Sequence, residues 1–236
     1  MNAANAIDQT LASTLDSLDE AVNYMRWIVD LARPYLADPI LEVGAGHGTF
    51  TAAFAEIAAV HAVEPGEYAS AILRKRFVGD ERVRVTAGMV SDVEPGRVYS
   101  SAVMINVLEH IEDDVGALRE IGARMHPGAL IAIWVPAFQL LFSEFDRKLG
   151  HHRRYRKETL RAAVEAAGFH CEDLRYVNAP GYFSWFFITR LLGKAPTAGP
   201  LVRVFDRFFV PVIRRVESRF APPFGQSIFI VGRLLS

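Results

Sequence analysis

Ile40-Leu41-Glu42-Val43 runs straight into Gly44-Ala45-Gly46-His47-Gly48, and this junction constrains the fold more than any other part of the chain. A short apolar run closed by turn residues reads as a buried parallel strand. Glycines in the turn permit positive φ and let a ligand approach the backbone closely. The same alternation then repeats. Strands are predicted at 40–43, 60–63, 83–86, 101–105 and 129–135, with helices through 50–58, 68–76 and 115–125. Strands alternating with helices imply an α/β fold with a doubly wound, parallel sheet.

The flanks differ from this core. Residues 1–20 are polar and alanine-rich, with helical or frayed character, and 21–36 carry apolar residues at helical spacing up to Pro34. Downstream, a helix at 158–167 stops at Gly168, a strand follows at 171–176, and a last strand is expected at 227–231. The roughly fifty residues between those strands hold Phe183, Trp185, Phe186 and Phe187; they are too apolar for a linker and predict two helices. The expected organisation is one domain: an N-terminal helical cap at 1–36, a core at 37–176, a helical insertion at 177–225 and the last strand at 226–236. A 51% hydrophobic chain of net charge −1 builds a substantial core and has no global field for nucleic acid. Cys171 is the single cysteine, so no intramolecular disulfide forms. The acidic start at Asp8, Asp16, Asp19 and Glu20 is unlike a secretory signal, and no stretch nears ~20 uninterrupted apolar residues. A soluble, cytoplasmic protein without a transmembrane span is expected.

The glycine turn narrows the ligand. Its spacing is G-x-G-x-G, with Thr49 where a nicotinamide-binding turn wants its third glycine, and no lysine lies nearby to make a phosphate loop. Glu42, just before the glycines, is awkward beside a pyrophosphate but suits a cationic ligand. Glu64 closes the second strand, where a carboxylate can accept two hydrogen bonds from a ribose diol.

Glu42-x-Gly44-x-Gly46-x-Gly48, Glu64 and Asn106-Val107-Leu108-Glu109-His110-Ile111 together resemble the class I S-adenosylmethionine-dependent methyltransferases, over nearly the whole chain. Asp146 followed by Gly150-His151-His152-Arg153-Arg154-Tyr155 is similar to a bacterial subgroup acting on small molecules or in lipid pathways. So is the ending, with Asp206, Glu217 and Pro223-Phe224-Gly225-Gln226-Ser227. The resemblance implies a Rossmann-like, mostly parallel seven-stranded sheet with a reversed last strand and a helical insertion before it. It implies S-adenosylmethionine as cofactor and S-adenosylhomocysteine as product. Gly44, Ala45 and Gly46 would contact the amino-acid part, Glu64 and Pro65 the ribose, and Asn106 and Val107 the methionine side. Tyr24, on a helix that folds over the pocket in look-alikes, would reach the cofactor carboxylate. Many relatives place an acidic residue after the third strand to accept from adenine; here the stretch is Ala87-Gly88-Met89-Val90-Ser91-Asp92, and Met89 with Val90 would cover the ring instead.

Methyl transfer is an in-line displacement at a sulfonium, so the protein aligns the acceptor and, for a hydroxyl, removes its proton. His110, at the carboxyl edge of the sheet, is the first candidate base; its bland alternative is packing in the loop. His151 and Tyr155 are further catalytic candidates, and Arg154, Asp146 and Trp185 candidate acceptor contacts. Against these stands a solvated basic loop whose arginines pair with Glu144, Asp146 or Glu158. Tyr24 and Trp27 share a helix face, and Trp27 fits the core. The aromatic stretch 182–192 is expected by default to bury, with a membrane or hydrophobic-acceptor contact or a dimer face as the alternatives. Arg203, Arg207, Arg214, Arg215 and Arg219 mixed with Phe205, Phe208 and Phe209 invite an interfacial reading, as peripheral membrane contact. No metal site is expected, since His151 and His152 are adjacent and no second cluster has ligand spacing. Asn106-Val107-Leu108-Glu109 is unlike the motif of nucleic-acid amino methyltransferases, so no nucleic-acid partner is expected. The expected acceptor is a small or lipid-linked molecule methylated at oxygen, by a monomer or homodimer. A non-catalytic S-adenosylmethionine-binding module is the alternative, and a nicotinamide oxidoreductase is disfavoured by the glycine spacing.

Overall fold

The computed structural model describes residues 21–94, 96, 98–191 and 200–235; the reading of 1–20 lies outside them. Seven strands form one sheet: β1 (Ile40–Val43), β2 (Val60–Glu64), β3 (Val83–Ala87), β4 (Tyr99–Ile105), β5 (Met125–Pro136), β6 (Phe169–Val177) and β7 (Ser227–Leu234). Their order is β3-β2-β1-β4-β5-β7-β6. The first five pair in parallel, and β7 runs antiparallel to both β5 and β6.

Helices cover both faces, which is why β1 is buried at every position, with Ile40, Leu41 and Val43 apolar beside the one carboxylate of Glu42. Leu41 and Val43 join Met104, Ile131 and Ile133 against α4 (Asp114–Gly122) and α6 (Lys157–Ala166). Ile40, one residue out of phase, joins Ala62, Val103, Trp134 and Phe229 on the other face. That face is covered by α1 (Val22–Ala32), α2 (Thr49–Ala55) and α3 (Glu67–Arg76). Successive strand side chains point to opposite faces, so a strand buried on both sides is mostly apolar and does not alternate.

Two boundaries moved for a tertiary reason. The helix expected to reach residue 125 stops at Gly122, because Met125 pairs with Tyr99 and belongs to β5. The last strand reaches Leu234, since it has a neighbour on each side along its length.

The insertion between β6 and β7 holds two helical stretches among the described residues. The first is α7 (Ala179–Trp185), continued by a π-helical turn at Phe186–Leu191. The second is α8 (Pro200–Val204), a π-helical stretch at Phe205–Phe209 and α9 (Val210–Glu217). Carboxylates from the second stretch cap helices elsewhere. Ala21 supplies no side-chain cap to α1. In its place Asp206 accepts from the Asn23 and Tyr24 N–H groups at 3.0 and 2.8 Å. Glu217 accepts from the N–H groups of Asn178 and Ala179, both at 2.9 Å, where α7 begins. A carboxylate at a helix N-terminus satisfies free donors and complements the dipole.

Candidate active site

The carboxyl ends of β1, β2 and β4 meet at one edge of the sheet, the edge where open α/β sheets take ligands. Gly44, Gly46 and Gly48 have φ of 73°, 56° and 90°. At Gly44 the need is double, because a Cβ there would lie 2.3 Å from Val107 Cγ2. The β1 turn and the β4 loop are therefore in contact, and Asn106 enters that loop with φ of 53°. Glu64 Oε2 accepts from the Gly46 N–H and Oε1 from the Gly66 N–H, each at 2.8 Å. Two backbone donors hold its carboxylate between the first and second turns.

A cavity of about 690 Å³ opens above these turns, within the roughly 300–1,000 Å³ typical of small-molecule sites. Gly44, Ala45, Gly46, Glu64 and Pro65 line it, with Met89, Val90, Asn106 and Val107. Tyr24 lines it from α1, and Phe205 and Asp206 from the insertion. Burial raises the Tyr24 hydroxyl's pKa against hydrogen bonding from Ser227, Trp134 and Asn178. Met89 is 54% exposed. Asp92, the nearby carboxylate, accepts from the Met89 N–H at 2.8 Å and does not line the cavity.

His110, His151, Arg154 and Trp185 line the same cavity. The imidazoles of His110 and His151 stand perpendicular, with centroids 4.5 Å apart. Burial, and then the proximity of His151, pushes His110 down to about 4. Asp146 sits behind this wall. Its Oδ1 accepts from His151 Nδ1 at 2.9 Å and Arg154 Nε at 2.7 Å, and its Oδ2 from the Ser143 N–H and hydroxyl. Burial alone would raise this carboxyl, but His151, Arg154 and Ser143 hold it at about 2. The bond to Asp146 through Nδ1 orients the His151 ring and leaves its Nε2 on the far side, 4.0 Å from Glu109 Oε1. The Arg154 guanidinium lies 4.6 Å from the Trp185 ring centroid.

The methyltransferase domain family matches residues 18–174, well over half of the sequence. The chain belongs to that family. No curated protein matches the sequence. Solved structures similar to it include a Haloferax volcanii methyltransferase in complex with the Trm112 activator, at TM-score 0.64 and 13% identity, with 98% of each chain covered. Another is an S-adenosylmethionine-dependent methyltransferase of Clostridium acetobutylicum, at TM-score 0.59 and 10% identity, covering 91% of this chain and 92% of that one. A third is the Burkholderia thailandensis 1,6-didemethyltoxoflavin-N1-methyltransferase with its substrate and S-adenosylhomocysteine, at TM-score 0.58 and 20% identity, covering 90% and 78%. Family and fold together make the protein an S-adenosylmethionine-dependent methyltransferase of class I.

Three expected contacts fall outside the methyltransferase's cavity. Glu42 lies under the glycine turn and does not line it; burial, with the charge of Glu64 adding, pushes its carboxyl up to about 8. Tyr155 is also withdrawn. Backbone hydrogen bonds to Pro136 and Phe138 turn it away from Arg154, and its hydroxyl donates to Asp114 Oδ2 at 2.8 Å. Burial and that carboxylate hold the Tyr155 pKa far above its ordinary value. Asp146 also does not line the cavity, but is hydrogen-bonded to His151 and Arg154, which do.

Glu109 was quoted in the sequence motif without a role of its own. It is fully buried, lines the cavity, and neither carboxylate oxygen has a hydrogen-bond partner. Burial pushes it up to about 8. Ligand atoms of Glu109, His110 and His151 lie within 4.8 Å of one another, with His151 Nε2 4.0 Å from Glu109 Oε1. An ion with ~2.1 Å bonds would draw such a pair closer, to about 3–3.4 Å. Asn178, Gln226 and Ser227 also line the cavity, and Asn178 Nδ2 donates to Gln226 Oε1 at 2.9 Å. The turn at Asn178-Ala179-Pro180 was the available signal for the first of these.

Proposed function

We propose that this enzyme methylates a hydroxyl oxygen of a small-molecule or lipid-linked acceptor, acting from the cytoplasm without a metal. One observation carries the reading: a single cavity joins the Glu64 end of the sheet edge to the paired His110 and His151 rings. When bound, S-adenosylmethionine supplies an electrophilic methyl on a sulfonium. The carboxylate of Glu64, oriented by the Gly46 and Gly66 N–H groups, takes the ribose hydroxyls. The backbone of Gly44, Ala45 and Gly46 receives the amino-acid part, with Asn106 and Val107 along the methionine side. Met89, Val90 and Pro65 cover the nucleoside, and Tyr24 closes the cavity from α1. The described residues at 21–36, 177–191 and 200–225 serve as the cap over the core.

At the other end, His110 accepts the acceptor's hydroxyl proton. It is uncharged at neutral pH, so its lone pair is available, but its lowered pKa makes it a weak base and leaves most of the activation to the sulfonium. His151 is oriented by Asp146 and offers Nε2 as a second acceptor. Arg154, backed by Asp146, and Trp185 form an amphipathic wall that suits an anionic group on an apolar stem.

The test is transfer of labelled methyl from S-adenosylmethionine into a bacterial extract, followed by solvent partition and identification of the methylated atom. Ester or ether methyl in the product is expected, absent with Glu64→Ala. Methyl on nitrogen or carbon would overturn the oxygen assignment, and cofactor binding without transfer would favour a binding module.

A further inference from the structure

Val204, Phe208, Val212, Val216 and Phe220 recur at every fourth position along the second helical stretch of the insertion and its exit, and each is between 50% and 71% exposed. Four-residue spacing puts them in one row along a helix. Phe209, 55% exposed, widens the row. A second row runs one residue earlier, at Arg203, Arg207, Arg215 and Arg219, with Pro211 between. One residue is about 100° of helical rotation, so the arginines flank the apolar row along one side.

The acidic residues of 200–220 do not dilute this charge. There are two, Asp206 and Glu217, and both turn inward to cap α1 and α7. Arg214 is paired, with Asp30 of α1 at 2.7 Å. Among the described residues, no carboxylate pairs with Arg207, Arg215 or Arg219. The outer face is therefore apolar and cationic, although the whole chain has net charge −1.

We infer that this face docks the enzyme on an anionic lipid bilayer. Apolar side chains would enter the acyl boundary while the flanking guanidiniums stay at the phosphates. A second copy of the chain fits less well, because an antiparallel twofold contact would set each arginine row against its own mate. No described helix is long and apolar enough to span a membrane, so the contact is peripheral. The opposite side of the same stretch faces the active site, where Val202, Phe205, Asp206 and Val210 line the cavity. One helical stretch thus separates the bilayer from the reacting centre. This deepens the proposed function and rests on it: the acceptor is the lipid-linked kind, with its tail in the bilayer and its polar end in the cavity.

The experiment is co-sedimentation of the full chain with vesicles of phosphatidylcholine alone or with 30% (about one lipid in three) phosphatidylglycerol, at low and high salt. Binding at least about 10-fold tighter to the anionic vesicles, weakening with salt, is expected. A Phe208→Ser, Val212→Ser, Phe220→Ser variant should lose at least about 10-fold in vesicle affinity while keeping its cofactor affinity, which shows that it is folded. Replacing Arg207, Arg215 and Arg219 by Gln should remove the anionic preference. Equal or absent binding to both vesicles would overturn the inference. So would a homodimer in light scattering that the serine variant dissociates. Glu64→Ala should abolish transfer and leave vesicle binding intact, so failure of docking and failure of the methyl-transfer reading are seen separately.

Discussion

Asp146 is fully buried and yet ionised, and that makes it the most demanding test of the site's architecture. Its carboxyl falls from an ordinary 3.8 to about 2 in the folded chain. At roughly 1.4 kcal/mol per unit this is about 2–3 kcal/mol of stabilisation. The folded state binds the proton more weakly than the unfolded one, so the contribution is complete above pH 3.8 and disappears as pH falls through about 2. Asp146→Asn keeps the shape but leaves the Arg154 guanidinium buried without its anion. Breaking a buried pair on one side costs about 3–5 kcal/mol. Urea unfolding at pH 7 should therefore show a loss of that order. Between pH 4 and 2 the variant should lack the part of the acid sensitivity that Asp146 supplies. The variant should also raise the acceptor KM, because His151 and Arg154 lose their common anchor, while cofactor affinity changes little. A stability loss under about 1 kcal/mol at pH 7, or an unchanged acid limb, would refute the argument that Asp146 is the ionised hub of this wall.

Glu64→Ala removes two charge-assisted contacts to the ribose, each worth about 1.5–3 kcal/mol, so calorimetry should show cofactor affinity down by about 100-fold or more. A change under threefold would reject the ribose assignment. His110→Gln should lower kcat about 100-fold with the cofactor Kd unchanged. In the parent enzyme, the acid limb of kcat/KM due to His110 should sit near pH 4, below the usual histidine range, as its protonation sets in there. An inflection near 6.5 that the variant abolishes would contradict the burial argument. Exhaustive chelation should leave the initial rate within about twofold, because the sulfonium rather than a metal activates the methyl group; restoration of a lost rate by zinc or manganese would make Glu109, His110 and His151 ligands instead.

What the sequence disclosed follows from the range of the forces involved. Ile40-Leu41-Glu42-Val43 could be recognised as a doubly covered strand because burial on both faces leaves a local apolar signature. Glu64 could be placed because it ends a strand in phase with the glycine turn. The acceptor wall was harder. Arg154 and Tyr155 are adjacent in a loop without periodicity, and only the backbone pairing of Tyr155 with Pro136 and Phe138 decides that one faces the cavity and the other Asp114. Asp146 reads as one charge in a basic run until Ser143, His151 and Arg154 are seen to converge on it. The caps at Asp206 and Glu217 join residues far apart in sequence, and no local pattern at either end announces a partner.

Asp206 holds the amino end of α1, which also carries Tyr24 and Trp27. The 200–217 stretch and α1 are therefore tied together at Asp206 and form one continuous cover over the cavity, so a substitution that breaks the Asp206 bonds should loosen both at once.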